Sequence, residues 1–332
     1  MSDSPLRVAV IGASGIGKNH ARWFHQHGCE VCAFVGSSPE ALAKTQSTLE
    51  KGFGFAGRGY SDVAAMLKTE QPDIVCISCP PPLHFDYAMQ SLQAGAHLLC
   101  EKPLVYDASK STPELIEQAN TLVATAATRG VVFGTQMQYA TTLDTLLELS
   151  GHAVGASNIR EFTMEMETKN LRPGREYEAI WIDMSPHPLS VLQKIAPDAI
   201  INPDSIECTL RPHETATRFE LVAAADASPP QETPLKAHIT VRYNPDRAVP
   251  LRQFVIDGQT IDYVGRNNAE GEFCSYLTAV DGRSIELPDF VDTLIGNFVQ
   301  ACQGQAPLTV TGADGAQNVA WQLQILGAAQ RE

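Results

Sequence analysis

What the chain has little of gives the first constraints. None of its 332 residues belongs to an apolar run near the roughly 20 residues that a bilayer-crossing helix requires. The opening "MSDSPLRVAVIG" has no basic lead, apolar core and small-residue cleavage site, and Arg7 abuts a strand of the fold, so a soluble, cytoplasmic protein is expected. Positive charge is scarce. Lys plus Arg number 24 against 38 Asp plus Glu, a formal net charge of −14, and the basic residues are scattered. Such a chain repels a polyanion, which argues against nucleic acid as a partner. Metal-ligand spacing is lacking as well. Eight cysteines include Cys29-x-x-Cys32 and Cys76-x-x-Cys79, but both pairs sit in apolar strand-like runs, where residues i and i+3 point to opposite faces. They read as buried thiols, and no metal is expected.

The length and the 44% hydrophobic content suit two ordinary globular domains. From Leu6 to Tyr139 the runs "LRVAVIG", "CEVCAFVG", "DIVCISC", "AHLLCE" and "GVVFGTQ" read as strands. Amphipathic stretches between them read as helices, several closing on Gly. Strands of Val, Ile and Cys without polar alternation are buried on both faces, so the expected architecture is α/β, a doubly wound parallel sheet of the Rossmann type over residues 1–139. After residue 140 the rhythm changes. The strand "NIREFTMEMETKN" precedes a helix around Asp183–Ala196, then come several strands, with the loop "DASPPQETP" between two of them, and two amphipathic helices at the tail. Residues 140–332 are therefore expected to form an α+β domain for substrate binding and oligomerisation, with a large, mostly antiparallel, open-faced sheet.

The stretch "RVAVIGASGIGKNH" carries the first chemistry. In a G-x-G-x-x-G turn the first glycine permits the tight bend, the second lets backbone approach a pyrophosphate, and the third lets the helix pack close. Here the three places hold Gly12, Ser14 and Gly17, with Gly15 and Ile16 inside the turn. Strand before and helix after make it a phosphate-binding candidate. About 20 residues on, a carboxylate ordinarily grips the ribose of NAD. The chain has "FVGSSPE", with Gly36, Ser37 and Ser38 at the strand tip and Glu40 inside the next helix. Serine hydroxyls can donate to a 2′-phosphate, so NADP is favoured over NAD. The same serines could equally cap a helix starting at Pro39.

Two further stretches, "CPPPLHFDYAMQSLQAGAHLLCEKPL" and "WIDMSPHPLSVLQ", together with the glycine turn, resemble the Gfo/Idh/MocA oxidoreductase family along the whole chain. The resemblance implies hydride transfer between a nicotinamide and a carbinol or carbonyl carbon of a sugar, polyol or related cyclic hydroxylated compound. It implies Lys102 beside the reacting oxygen, Glu101 orienting it, and a cis peptide before Pro103. Cys79, Pro80 and His84 would lie on the cofactor side, and Gln136 would reach the nicotinamide or cap the sheet. Asp183 and His187, spaced i,i+4, would share one helix face, the histidine moving the proton and the aspartate orienting it. Glycines that often precede this aspartate are absent, and Pro186 and Pro188 flank the histidine, so the local helix starts late or is irregular. Rival readings are reduction of an imine or conjugated double bond, oxidation followed by elimination, and a catalytically silent nucleotide sensor.

Alternation in "REFTMEMETKN" places Phe162, Met164 and Met166 toward the helices, with Glu161, Thr163, Glu165 and Glu167 on the other face. In "KAHITVRYN", Ala237, Ile239 and Val241 oppose His238, Thr240 and Arg242. A sheet of five or six strands with one such polar face points to a homodimer, or a homotetramer, through that face. Its glutamates would then need partners such as Arg242 across the interface.

Overall fold

The computed structural model describes residues 4–156, 158–169, 176–224 and 234–332. The chain divides into two compact units, residues 1–137 with 291–319 and residues 138–290 with 320–332.

In the first unit six parallel strands, β1 (Arg7–Ile11), β2 (Glu30–Val35), β3 (Arg58–Tyr60), β4 (Ile74–Ile77), β5 (His97–Glu101) and β6 (Phe133–Gln136), lie in the order β3-β2-β1-β4-β5-β6. Helices α1 (Gly17–Gln26), α2 (Pro39–Phe53), α3 (Val63–Glu70), α4 (His84–Gln93) and α5 (Thr112–Arg129) connect them. The apolar runs become strands because both faces are covered: Val8, Val10, Ile74 and Cys76 have no exposed surface. β3 was not evident in the sequence. Its three residues "RGY" have little apolar character and form a strand only by pairing with Ala33–Val35 at the sheet edge. The tail helix Phe290–Cys302 contributes Ile295, Phe298 and Val299 to the same core, where Phe298 meets Phe24 edge-on with ring centroids 6.4 Å apart. Each such buried aromatic stabilises by roughly 1.5–3 kcal/mol relative to its exposed state. Because β1 lies between β2 and β4, the chain turns opposite ways from it, and loops leaving the carboxyl ends of β1 and β4 flank a crevice of the kind that binds nucleotides.

The second unit opens with helix α6 (Leu143–Leu149) and strand β7 (Glu161–Thr168), followed by helices α7 (Glu178–Met184) and α8 (Pro186–Ile195). Strands β8 (Ala199–Ile201), β9 (Glu207–Arg211), β10 (Glu214–Ala223), β11 (Leu235–Tyr243), β12 (Arg252–Ile256), β13 (Gln259–Asn267), β14 (Phe273–Ala279), β15 (Ser284–Pro288) and β16 (Gln330–Arg331) complete it. The sheet has ten strands, in the order β15-β14-β13-β12-β7-β11-β10-β9-β16 with β8 on β10, in place of the five or six expected. It is mixed: β7–β11 and β9–β16 run parallel, the other pairs antiparallel. The loop expected over 226–234 falls, Pro234 apart, outside the described residues.

Alternation on β7 follows the pleat. Phe162, Met164 and Met166 are buried, as are Ala237, Ile239 and Val241 on β11, and α7 packs on β10 and β11. The polar face differs from expectation in one respect. Parallel register sets Glu167 opposite Arg242, and the Arg242 guanidinium lies 2.9 Å from Glu167, 3.1 Å from Glu214 and 3.7 Å from Glu165. Arg247 also pairs with Glu167, and Asn244 donates to it at 3.2 Å. These glutamates find their cations on neighbouring strands of their own chain and do not require a second subunit. Although burial opposes its charge, the surrounding donors from Arg247, Arg242 and Asn244 hold the Glu167 carboxyl below the usual range.

Candidate active site

Every site residue proposed for the first unit lies at the carboxyl edge of its parallel sheet. The turn after β1 bends at Gly12, whose φ of +90° suits glycine, and a Cβ there would stand 2.8 Å from Ser78 O and Cys79 N. Gly17 begins α1, and a Cβ on it would meet Gly12 O at 2.6 Å. The outer two glycines of the motif therefore do the steric work their places require. Ser14, in the middle place, is exposed, and a Cβ on Gly15 would meet nothing within 4 Å. α1 has no side-chain cap and no acidic residue in its first turn, so its positive end faces open space beside Ser14, Gly15 and Ile16.

At the tip of β2 the two serines separate in role. Ser38 Oγ accepts from Ala41 N at 3.2 Å and caps α2, which Pro39 opens. Ser37 is exposed. Glu40 lies in the first helical turn, its carboxyl held below the usual range by hydrogen bonds from its own backbone and from Ser38.

After β5 comes the turn Glu101–Lys102–Pro103, with a cis Lys102–Pro103 peptide as the resemblance implied. Glu101 uses both oxygens. Oε2 accepts from Lys102 N at 3.1 Å, and Oε1 stands 3.1 Å from Nε2 of His20, a residue of α1 with no exposed surface. His20 Nδ1 faces Cys76 Sγ at 3.2 Å and Ser78 Oγ at 3.3 Å. Burial disfavours an imidazolium here, but Cys76 and Glu101 outweigh it and bring the His20 pKa up to about 10. Burial also opposes the Glu101 charge, and His20 together with Lys102 holds the carboxyl low nonetheless.

His84 is fully buried at the start of α4. Its Nε2 lies 2.8 Å from Cys79 O and its Nδ1 3.0 Å from Pro103 O, so the ring lies between the loop after β4 and the turn after β5 and gives its N–H to one of their two carbonyls. Burial lowers its pKa. Cys79 is half-buried, its thiol pushed up to about 12 by desolvation, and Pro80 is exposed. Gln136 is buried at the end of β6, where Nε2 donates to Val291 O at 3.4 Å and Oε1 has no hydrogen-bond partner.

In the second unit the single helix expected around Asp183–Ala196 is two. α7 ends at Met184 and α8 begins at Pro186, so Asp183 sits in the last turn of one helix and His187 in the first turn of the next. The reason is that Pro186 has no N–H to give to the Ile182 carbonyl. The side chain of Gln322 takes its place, its Nε2 reaching Ile182 O at 3.2 Å and Ser185 Oγ at 2.8 Å. The joining residue Ser185 keeps right-handed helical angles. His187 is buried against Tyr139, ring centroids 4.9 Å apart and edge to face, and its carbonyl accepts from Ser190 Oγ at 2.7 Å. Tyr139 in turn packs on Phe254, Tyr263 and Phe290.

Sequence reasoning passed over His20 and Tyr139. A signal existed for His20: positions 17, 20, 21 and 24 form the buried stripe of α1, and a histidine on that stripe is a polar residue that must find partners inside. Tyr139 sits just past β6, where periodicity is silent.

A bend at Gly12, a close-packed Gly17, open space at Gly15 and an uncapped ten-residue helix behind them fit a dinucleotide pyrophosphate. With the strand order, these features define a Rossmann-type nucleotide-binding unit. Residues 6–137 match the model of the Gfo/Idh/MocA family, described as an oxidoreductase family with an NAD-binding Rossmann fold. Among relatives, D-glucoside 3-dehydrogenase of Escherichia coli K12 is 35% identical over 147 residues, 44% of this chain and 38% of that protein. Inositol 2-dehydrogenase of Pseudarthrobacter chlorophenolicus is 38% identical over 109 residues, 32% of this chain and 31% of that one. The matched segments thus span about a third of these relatives' lengths. Among solved structures, UDP-N-acetylglucosamine 3-dehydrogenase of Acidithiobacillus ferrooxidans superposes with a TM-score of 0.73 at 18% identity, covering 98% of this chain and 97% of that one. A levoglucosan dehydrogenase in complex with NADH and levoglucosan gives 0.72 at 16% identity over 98% and 97%. These two likenesses extend the shared fold to both units.

Proposed function

We propose that the protein is an NAD(P)-dependent oxidoreductase that moves hydride between nicotinamide and a carbinol or carbonyl carbon of a sugar, polyol or related cyclic hydroxylated compound. The observation that carries this reading is the Glu101–Lys102–Pro103 turn at the carboxyl edge of the sheet that also bears the glycine turn. Dehydrogenation names among the relatives, for glucosides and for inositol, support the substrate class.

The nicotinamide, when bound, supplies the hydride acceptor or donor. Lys102 places an ammonium against the carbinol oxygen and stabilises the alkoxide that develops as hydride leaves. His187 takes the hydroxyl proton in oxidation and returns it in reduction, and Asp183 orients the imidazole. Gly12, Ser14, Gly15, Ile16 and Gly17 bind the pyrophosphate, and the loop Cys79–Pro80 lies alongside the cofactor. Exposed Ser37, with no carboxylate at the β2 tip, favours NADP over NAD, while Ser38 is engaged in capping. All eight cysteines are free, which suits the reducing cytoplasm. The polar face of the ten-stranded sheet is assigned to a homodimer or homotetramer.

The test is absorbance at 340 nm with NADP⁺ or NAD⁺ across a panel of glucosides, inositols and free sugars. Reduction by at least one member is expected. Tight cofactor binding with no turnover on any member, and reduction instead of an imine or enone panel, would overturn the substrate class.

A further inference from the structure

We infer that His20 is a positioning residue for Lys102, acting through Glu101: the buried imidazole holds one carboxylate oxygen so that the other fixes the Lys102 backbone amide. The inference rests on the reading that Lys102 serves the reaction. Its basis is a chain of contacts inside the first unit. Glu101 ends β5 with a side chain only 13% exposed, and each of its two oxygens has one near partner, His20 Nε2 and Lys102 N, both at 3.1 Å. His20 is itself held from the other side by Cys76 Sγ and Ser78 Oγ of the neighbouring strand end, at 3.2 and 3.3 Å. The imidazole is thus set in a slot between α1, β4 and β5 with no exposed surface.

Charge explains why a histidine serves here. A carboxylate this far from water is costly unless a cation or several donors face it. The charged and titratable groups facing His20 are Glu101 on β5 and the Cys76 thiol on β4. Protonated, His20 sets Nε2 3.1 Å from Glu101 Oε1 as an ion pair, while Nδ1 faces the Cys76–Ser78 pair, so the imidazolium offsets the carboxylate without a long flexible side chain. His84 flanks the next link from the far side, its Nδ1 3.0 Å from Pro103 O. The turn that carries the Lys102 side chain is therefore held by Glu101 at the amide of Lys102 and flanked by His84 at the carbonyl of Pro103. Neither imidazole has to touch substrate or cofactor to matter, because a misplacement of about 1 Å in a reacting group can cost about 100-fold in rate.

The experiment uses the full chain, first without cofactor. ¹⁵N-histidine NMR of the unaltered protein at pH 8 is expected to show one ring with both nitrogens protonated, assigned to His20 by its loss in His20→Gln. In Glu101→Gln that ring is expected to become neutral. Amide exchange followed by mass spectrometry is expected to accelerate at least about 10-fold in the peptide containing Lys102 in His20→Ala, with the β1 amides unchanged. On the first active sugar or polyol, His20→Ala should lower kcat about 10- to 100-fold with KM and cofactor affinity within about threefold, and His20→Gln should restore part of the loss. A His20 ring that is neutral at pH 8 in the unaltered protein, or Lys102 exchange unchanged in His20→Ala, overturns the inference; if His20→Ala does not fold, the ring spectra and the exchange of His20→Gln decide it. Lys102→Met checks the underlying reading separately. Full activity in that variant removes Lys102 from the chemistry, while the spectra and exchange in the ligand-free protein still report whether His20 holds the turn.

Discussion

Gly17 lies against Gly12 so closely that a Cβ on Gly17 would stand 2.6 Å from the Gly12 carbonyl oxygen. That contact is backbone to backbone, so no side chain can yield to relieve it. Gly17→Ala should cost about 1–3 kcal/mol in stability and weaken dinucleotide binding. Gly15→Ala, with nothing within 4 Å, should leave stability unchanged. Denaturant titration of the two variants, with calorimetry for the cofactor, makes the comparison.

Cofactor choice should be decided at Ser37, the exposed serine of the pair at the β2 tip. NADP(H) is expected to bind at least as tightly as NAD(H), and Ser37→Asp should reverse the order, because a carboxylate accepts from the ribose hydroxyls and repels a 2′-phosphate. Calorimetric titration showing a clear NAD preference in the unaltered protein would refute this. Ser38→Ala should instead lower stability by about 1 kcal/mol through loss of the α2 cap.

If Lys102 stabilises oxygen charge chiefly in the transition state, Lys102→Ala should lower kcat by about 100-fold or more while cofactor affinity stays nearly constant. An equal loss of cofactor affinity would make it a ribose or phosphate ligand. His187→Ala should remove both activity and the dependence on pH near neutrality.

The His20–Glu101 pair predicts how stability follows pH. His20 has its folded pKa raised to about 10, so its contribution is fully present below the unfolded value of about 6.5 and is lost as pH rises through 10. Glu101 has its folded pKa lowered, so its contribution is present above the unfolded value and is lost as pH falls through the folded one. Denaturation midpoints should therefore decline between pH 6.5 and 10, and His20→Gln should flatten that decline. A midpoint constant over this range in the unaltered protein would contradict the assignment.

Gln322 substitutes for the hydrogen bond that Pro186 cannot make, at the joint between α7 and α8. Gln322→Leu leaves the Ile182 carbonyl and the Ser185 hydroxyl unsatisfied in a buried place, and about 1–3 kcal/mol of destabilisation is expected. The test is the denaturant midpoint at constant m-value.

How far these features could be read from sequence varies with the range of the forces behind them. Apolar strands and capped, glycine-ended helices are local, which is why β1, β2, β4, β5 and β6 and the five helices connecting the strands of the first unit stand where pattern placed them. β3 was not legible because its three residues take their conformation from an edge they pair with. The tail helix Phe290–Cys302 was legible as amphipathic, but nothing local in it says that Phe298 will meet Phe24. Asp183 and His187 were expected on one helix, and the flanking prolines did signal trouble. What restores order at the break is Gln322, a residue more than a hundred positions away. His20 illustrates the same limit at the site, since its partner Glu101 is brought to it by the strand order and by no motif.

The Arg242 cluster on β7, β10 and β11 bears on how this sheet could meet another copy of itself. Each carboxylate there already has a cation on its own chain, and Glu167 is almost wholly shielded from water. Arg242 and Arg247 offset most of the charge of these three carboxylates, so the face presents a small net field to a partner and its attraction to a second sheet has little for dissolved ions to screen. Association through it should then be nearly indifferent to ionic strength, with the same mass by light scattering at about 0.1 M and 1 M salt, two conditions that differ threefold in Debye length.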